Sequence, residues 1–328
     1  ITSTNSTVLL NNNPKENFGV ITRAITSDTD FENANVETLE FWLMDPFISG
    51  EAGKIRDGVN ETIAGNSLGG KLTFHLGDVS EDFIPDNYSN FENGIPANEI
   101  LVDRVNYYKT DWGIAPKRQF VINAFDNAGR DKQDVGLDGL PNSSSDASIP
   151  SETSNFSDYL NKITDVTTKN LVKLDPAADD YEFYLDDKFT SQKSSVIQRY
   201  KNFMGLEKNS PNTDNQNSNI VTQANTIQPD REDLNNDNTV NEVEDYFTYE
   251  LDLKKGSLDN NSYVVDKVSD GNATWYLVRI PLKEKYPTSS FKSIRFMRMM
   301  LSEFSDPVVL RFAQLQLSGY SYRKFIGN

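Results

Sequence analysis

The chain holds 328 residues, with 32 Lys plus Arg against 49 Asp plus Glu, for a formal net charge of −17 and a pI near 4.5. Such a field repels nucleic acid and anionic membrane and favours cations. The absence of cysteine excludes a disulfide framework and thiolate zinc sites, and a lone histidine, His75, argues against triad chemistry and His-rich metal sites.

A hydrophobic share of 37% and a mean hydropathy of −0.58 are low for a compact enzyme, so much of the chain is expected to be loop. The length suits one large or two medium domains with real cores. No apolar run approaches the ~18 to 20 residues of a membrane helix. The first residues, Ile1-Thr2-Ser3, carry neither Met nor a signal sequence, which points to a fragment of something longer.

Phe18 to Ile25 reads as a first strand, followed by the acidic loop S-D-T-D-F-E-N-A-N, whose run from Ser27 to Glu32 is a solvated loop able to lend oxygens to a neighbouring site. In V-E-T-L-E-F-W-L-M-D-P-F, Leu39, Phe41 and Leu43 alternate with Thr38, Glu40 and Trp42, the period of a strand with one buried face. Leu72, Phe74 and Leu76 alternate in the same way with Lys71, Thr73 and His75. His75 therefore falls on the polar face, where a surface or structural role is the plainer reading.

From about Trp112 the character changes. A strand-like run, Gln119 to Phe125, enters a long polar stretch that contains D-V-G-L-D-G-L, Asp134 to Leu140. Two helical pieces follow: Phe156 to Ile163, and Ser194 to Met204, where Ile197, Tyr200 and Met204 share a face before a capping Gly205. Residues 207–230 form a linker too polar to pack. Strand patterns then return: Phe247, Tyr249, Leu251 and Leu253 on one side, then Tyr276, Val278, Ile280 and Leu282 after a Gly271-Asn272 turn. Two more runs, I-R-F-M-R-M-M-L and V-V-L-R-F-A-Q-L-Q-L, end the pattern.

Strands cluster at both ends around a loop-rich middle. The expected fold is mainly β: a jelly-roll-like antiparallel β-sandwich with a long loop-rich, partly helical insertion. Residues 1–111 would carry its N-terminal strands, 112–230 the insertion, and 231–328 a calcium-like loop and the C-terminal strands.

That loop is D-L-N-N-D-N-T-V-N-E-V-E, from Asp233 to Glu244. Oxygen-bearing side chains fall at its first, third, fifth, seventh, ninth and twelfth positions, the spacing of an EF-hand calcium loop. Asp233, Asn235, Asp237 and Asn241 would face the ion, Thr239 would offer its carbonyl, and Glu244 would close bidentately. The sixth position, usually Gly, is Asn238, the non-glycine residue that best tolerates a left-handed backbone. A strand pattern follows and Pro229 precedes, so a Ca2+ ion here would staple structure, with no opening to trigger. A polar linker that matches by chance is the alternative.

Asp134, Asp138 and the Gly139 turn resemble half of an Asp-rich calcium repeat, against which stands a plain Asx-turn. Carboxylate pairs such as Glu37 with Glu40 or Asp179 with Asp180 could pass for a glycosidase pair, but 49 acids produce such pairs freely. Trp42, Trp112 and Trp275 could form a sugar-stacking face or belong to ordinary core. No phosphate-cradling Gly loop or nucleophile elbow is present, and no enzyme activity is expected.

Four segments carry a family likeness: F-G-V-I-T-R-A-I-T-S-D-T-D-F-E-N-A-N-V-E-T-L-E-F-W-L-M-D-P-F; Q-D-V-G-L-D-G-L; the run from Y-L-N-K-I to I-Q-R-Y-K-N-F; and L-R-F-A-Q-L-Q-L. In that order, over nearly the whole chain, they resemble the SprA (Sov) family, the outer-membrane translocon of the Bacteroidetes type IX secretion system, which also serves gliding motility. The resemblance implies a piece of a much longer, non-enzymatic protein, a very large β-barrel with soluble segments between its strands. It also implies partners: the remainder of the barrel, a PorV-type outer-membrane protein, a plug protein and secreted cargo. A transmembrane barrel needs many strands of ~9 to 11 residues with an apolar lipid-facing side. The few strands and long polar loops here fit a soluble segment with no direct membrane span, expected at the cell surface as part of an extracellular cap, with a periplasmic position as the lesser option. The contrasting expectation is a secreted, calcium-dependent carbohydrate-binding β-sandwich module.

Overall fold

In a computed structural model, the described residues are 2–4, 7–9, 14–48, 53–54, 68–82, 87–91, 107–110, 113–117, 138, 140–145, 151–180, 184–185, 187–200, 232–271, 273–306 and 308–319. The expected run Gln119 to Phe125, the residues Trp112, Asp134, Met204 and Gly205, and the linker 207–230 lie outside them. The chain divides into two compact units: residues 12–79 with 243–328, and residues 1–11 with 80–242.

The first unit is mainly β, and the alternation read in the sequence is what builds it. Its strands are β1 (Phe18–Ala24), β2 (Thr38–Met44), β3 (Gly70–Asp78), β4 (Asp245–Leu253), β5 (Val264–Ser269), β6 (Thr274–Pro281), β7 (Phe296–Ser302) and β8 (Phe312–Ser318). They form two four-stranded antiparallel sheets, ordered β8-β2-β6-β5 and β1-β7-β3-β4. Because side chains alternate across a strand, register decides which residues share a face. Leu39, Phe41 and Leu43 of β2 stand opposite Ile280, Val278 and Tyr276 of β6. Leu72, Phe74 and Leu76 of β3 stand opposite Leu251, Tyr249 and Phe247 of β4. Both sets enter one core, where the rings of Phe41 and Phe74 lie 5.3 Å apart across the two sheets. That is a sandwich.

Leu39, Phe41, Leu43, Leu72, Phe74, Leu76, Tyr249, Leu251 and Leu253 are all fully buried. Each such side chain contributes about 1.5–3 kcal/mol relative to exposure, so this face is the main source of stability in the unit. Tyr249 is kept inside by donating its hydroxyl to the carbonyl of Leu282 at 2.7 Å. Burial pushes its phenol further up from the ordinary range. Gly69, the residue before β3, has φ 85, and a Cβ there would sit 2.0 Å from the Leu253 carbonyl oxygen, so the close approach to the end of β4 requires glycine.

The chain crosses between sheets at most connections but stays in one sheet from β3 to β4 and from β5 to β6, a jelly-roll-like path. The β3–β4 ladder runs from Gly70 opposite Leu253 to Asp78 opposite Asp245. Residues 80–242 are therefore an excursion within the connection of a β-hairpin, β3 to β4. Strand β5 was not legible in the sequence. It is an edge strand exposed along nearly its whole length, so no apolar alternation marks it.

Among the described residues, the second unit carries one small apolar cluster. Its helices are short: α1 (Glu152–Asn155), α2 (Ser157–Lys162), α3 (Val166–Val172), α4 (Asp187–Ser191) and α5 (Val196–Tyr200). Phe156, Tyr159, Leu160 and Ile163 form its hydrophobic cluster, on the segment the sequence marked as helical. Ser151 and Ser154 form a capping box at α1. The Asp165 carboxylate accepts the Thr168 amide at the start of α3, which holds that carboxyl below its usual range.

Candidate metal centres

The loop at 233–241 is built by its own acids. Asp233 is buried and accepts the Asp237 amide at 3.1 Å and the Asn238 amide at 2.9 Å. Asn235 Oδ1 accepts the Asp237 amide, its Nδ2 donates to Asp237 Oδ2, and Asp237 Oδ1 accepts the amide and hydroxyl of Thr239. Such turns curl the chain around the first carboxylate, which is the shape an oxygen cage requires. Asn236 and Asn238 take φ 59 and 61, so the sixth position has the left-handed backbone that the sequence assigned to Asn238.

Glu81 joins this loop from far away in sequence. Its carboxylate accepts the Leu234 amide at 2.8 Å and both the amide and the side-chain Nδ2 of Asn241 at 3.2 and 2.8 Å. Its own amide donates to the Asn241 carbonyl at 2.8 Å. Glu81 is only 1% exposed, and that burial pushes its carboxyl above the ordinary range against the pull of these donors. Nothing in the local sequence marks Glu81, because its partners are set by the chain returning from residues 82–232.

Glu244, the loop's twelfth position, belongs to the sandwich unit. Both of its oxygens are taken by Arg298 of β7, at 3.1 and 2.9 Å. Arg298 also lies 4.7 Å above the Tyr246 ring and donates from Nε to His75 Nδ1 at 3.0 Å, while the His75 ring packs tilted against Tyr246, with centroids 4.2 Å apart. His75 thus sits on the outer face of β3, as its register demands, yet is 6% exposed. Burial, then the Arg298 charge, holds its imidazole down at about 4, so it is neutral at pH 7. Its role here is structural.

A second cluster lies wholly in the excursion. One carboxylate oxygen each from Asp138, Glu152 and Asp179 lies within 4.8 Å of the others, and all three residues are buried. Asp138 is the residue the sequence linked to a calcium-like half-repeat; its partner in that reading, Asp134, lies outside the described residues. Glu152 opens α1 and accepts the Ala177 amide at 2.9 Å, while Asp179 accepts the Asp138 amide at 3.2 Å. Asp175 accepts the amides of Asp179 and Asp180, shaping a turn in which Ala178 takes φ 59. Burial, then the charges of Asp138 and Asp179, pushes Glu152 up to about 11. The pair Asp179 and Asp180 does not act as a unit: Asp180 accepts Asn142 Nδ2 on both oxygens, whereas Asp179 joins the triad. Glu40 is tied to Arg279 by an ion pair.

Trp42 and Trp275 lie on the outer face of one sheet, where Trp42 faces Leu277 and Trp275 faces Met44 across the β2–β6 ladder. Both are half-buried.

The molecule is thus a mainly β, two-sheet sandwich whose β3–β4 hairpin carries a long polar unit rich in buried acids. The SprA_N family, described as a motility related/secretion protein, matches residues 158–328, just over half of the 328 residues. This chain belongs to that family. The resemblance noted in the sequence is borne out by it. No curated protein matches the chain. Among the described residues, no helix is long and apolar enough to cross a membrane.

Proposed function

We propose that the chain is a non-catalytic segment of a protein-secretion translocon of the bacterial outer membrane, placed on the extracellular side, where it shapes the channel mouth or a surface for translocon partners. The observation that carries this reading is membership of a motility- and secretion-related family, joined to a β-sandwich that holds a large polar excursion. Partners in this reading are the remainder of the barrel, a PorV-type protein, a plug protein and exported cargo. Replacing residues 80–242 in the full-length protein by a short hairpin turn at the Asp78–Asp245 neck tests it. Export is expected to stop while the amount of protein in the outer membrane stays unchanged. Undiminished export and motility would remove the excursion from any such role, and protease accessibility on intact cells reports which side it faces.

Calcium is the second part of the proposal. Asp233, Asn235, Asp237, Thr239 and Asn241 supply the oxygens of a staple at the foot of the excursion, on a backbone already curled by Asn236 and Asn238. Glu81 fastens the two ends of the loop. Glu244 is held by Arg298 and braces β4 against β7. An extracellular position would fit such a site, because calcium there is abundant enough to fill loops of modest affinity.

The diagonal pair Trp42 and Trp275 supports a carbohydrate-binding module as the second reading, since two indoles on one sheet face can stack sugar rings. Glycan-array binding that is lost in both Trp42→Ala and Trp275→Ala would favour it.

A further inference from the structure

We propose that Asp138, Glu152 and Asp179 form a second hard-cation site, of calcium class, inside the excursion and separate from the loop at 233–241. Three observations converge on it. First, the three carboxylates are 4%, 1% and 1% exposed and each brings an oxygen within 4.8 Å of the other two. The charged groups acting most strongly on Glu152 are Asp138, Asp179 and Asp175, all of them acids. Gathering anions out of water is unfavourable unless a cation or a proton joins them.

Second, an uncharged oxygen donor is buried on the same helix as Glu152. Asn155 is 8% exposed, and its Oδ1 accepts no hydrogen bond. Glu152 and Asn155 are the buried residues of α1, one helical turn apart and so on one face. A buried amide oxygen with no donor is unfavourable, and an ion coordinated by that oxygen removes the cost. Asn142 Oδ1 is also buried without a donor, and it lies on the strap whose Pro141 and Asn142 carbonyls accept the amides of Glu152 and Thr153.

Third, the set comes from three stretches of chain: Asp138 with the strap at 140–142, α1 and the 175–180 turn. Hydrogen bonds from the Leu140, Ala177 and Asp138 amides hold the three carboxylates in place. The donors are all oxygen, which selects calcium or magnesium over softer metals, and a mixed carboxylate–amide set suits calcium.

Counting bound calcium on the full chain by equilibrium dialysis or isothermal titration tests the site separately from the loop. Glu152→Gln with Asp179→Asn keeps the shapes and removes two charges, and it is expected to lower the count by one ion. Asp233→Ala with Asp237→Ala should lower it by a different ion, leaving the Glu152 site filled. An unchanged count in a folded Glu152→Gln/Asp179→Asn variant overturns the proposal. If that variant fails to fold, crystals of the unaltered chain grown with calcium decide the matter. Anomalous density among Asp138, Glu152 and Asp179 supports the site, and its absence at saturating calcium rejects it. A lone ion at 233–241 in either experiment would leave the loop reading standing and remove this one.

Discussion

The sandwich and the excursion bury different materials. In the sandwich the fully buried side chains are apolar and come from both sheets, with Phe41 against Phe74 and Tyr249, Leu251 and Leu253 beside them. In the excursion the apolar cluster is Phe156, Tyr159, Leu160 and Ile163, while Glu81, Asp138, Glu152, Asp179 and Asp233 are all buried as well. Apolar burial is non-directional and gains free energy roughly with area. Buried carboxylates gain only when each is met by donors or a cation. The first unit is therefore expected to fold on its own composition, and the second to depend on conditions.

The largest effect should come from the sandwich. Phe41→Ala removes a fully buried ring that packs on Phe74 and Phe312, and is expected to destabilise the unit by about 3–5 kcal/mol. Denaturant unfolding followed by tryptophan fluorescence reads it, since Trp42 and Trp275 both lie on this unit's β2–β6 pair. Calcium should not restore the loss. A variant rescued by calcium would break the separation of the two units.

Next in size is the response of the excursion to calcium itself. At a hundredfold excess over the dissociation constant, one ion bound only by the folded form adds about 2.7 kcal/mol. Hydrogen exchange should show amides of 233–241 slowed by calcium and released by chelator, with β2, β3 and β6 indifferent. Asp233→Ala with Asp237→Ala should abolish the slowing at that loop. Identical exchange with and without chelator would remove the calcium staple.

The smallest effect concerns pH and lies on the sandwich side. His75 has a folded pKa of about 4 against an ordinary 6.5, set by burial and by Arg298 of β7, with Glu244 and Glu250 pulling the other way. A depressed pKa adds stability in full above 6.5, and that contribution is lost as pH falls from 6.5 towards 4. The separation corresponds to about 3 kcal/mol at most, and solvent screening at the outer face of the sheet reduces this to about 1–2 kcal/mol. Glu81, whose carboxyl burial pushes up, moves stability in the opposite direction as pH falls. The difference between the unaltered chain and His75→Gln therefore isolates the histidine. Parallel melting curves for the two between pH 7 and 4 would remove His75 as a source of acid sensitivity.

These contrasts follow how each part is written in the chain. The period-two runs of β2, β3, β4 and β6 were legible because one face of each is buried and the other is not. The turns of the 233–241 loop were legible for a similar reason, since its Asn and Asp residues bond amides two to five positions away. Strand β5 left no pattern because an exposed edge does not discriminate its faces. Asp179 could be noticed only as one of many acidic pairs, and Glu152 and Asn155 not at all.

By itself the sequence determined that β1 to β4 and β6 to β8 become strands, which face of the core strands is apolar, the family, and the local curl at Asp233, because these depend on neighbours within a few residues or on motif order. Tertiary structure alone decided that Glu81 clasps the 233–241 loop, that Arg298 takes Glu244, and that Asp138, Glu152 and Asp179 converge. Each of these joins residues far apart in the chain. A carboxylate in an acidic sequence becomes distinctive only when folding removes it from water and sets its oxygens beside others.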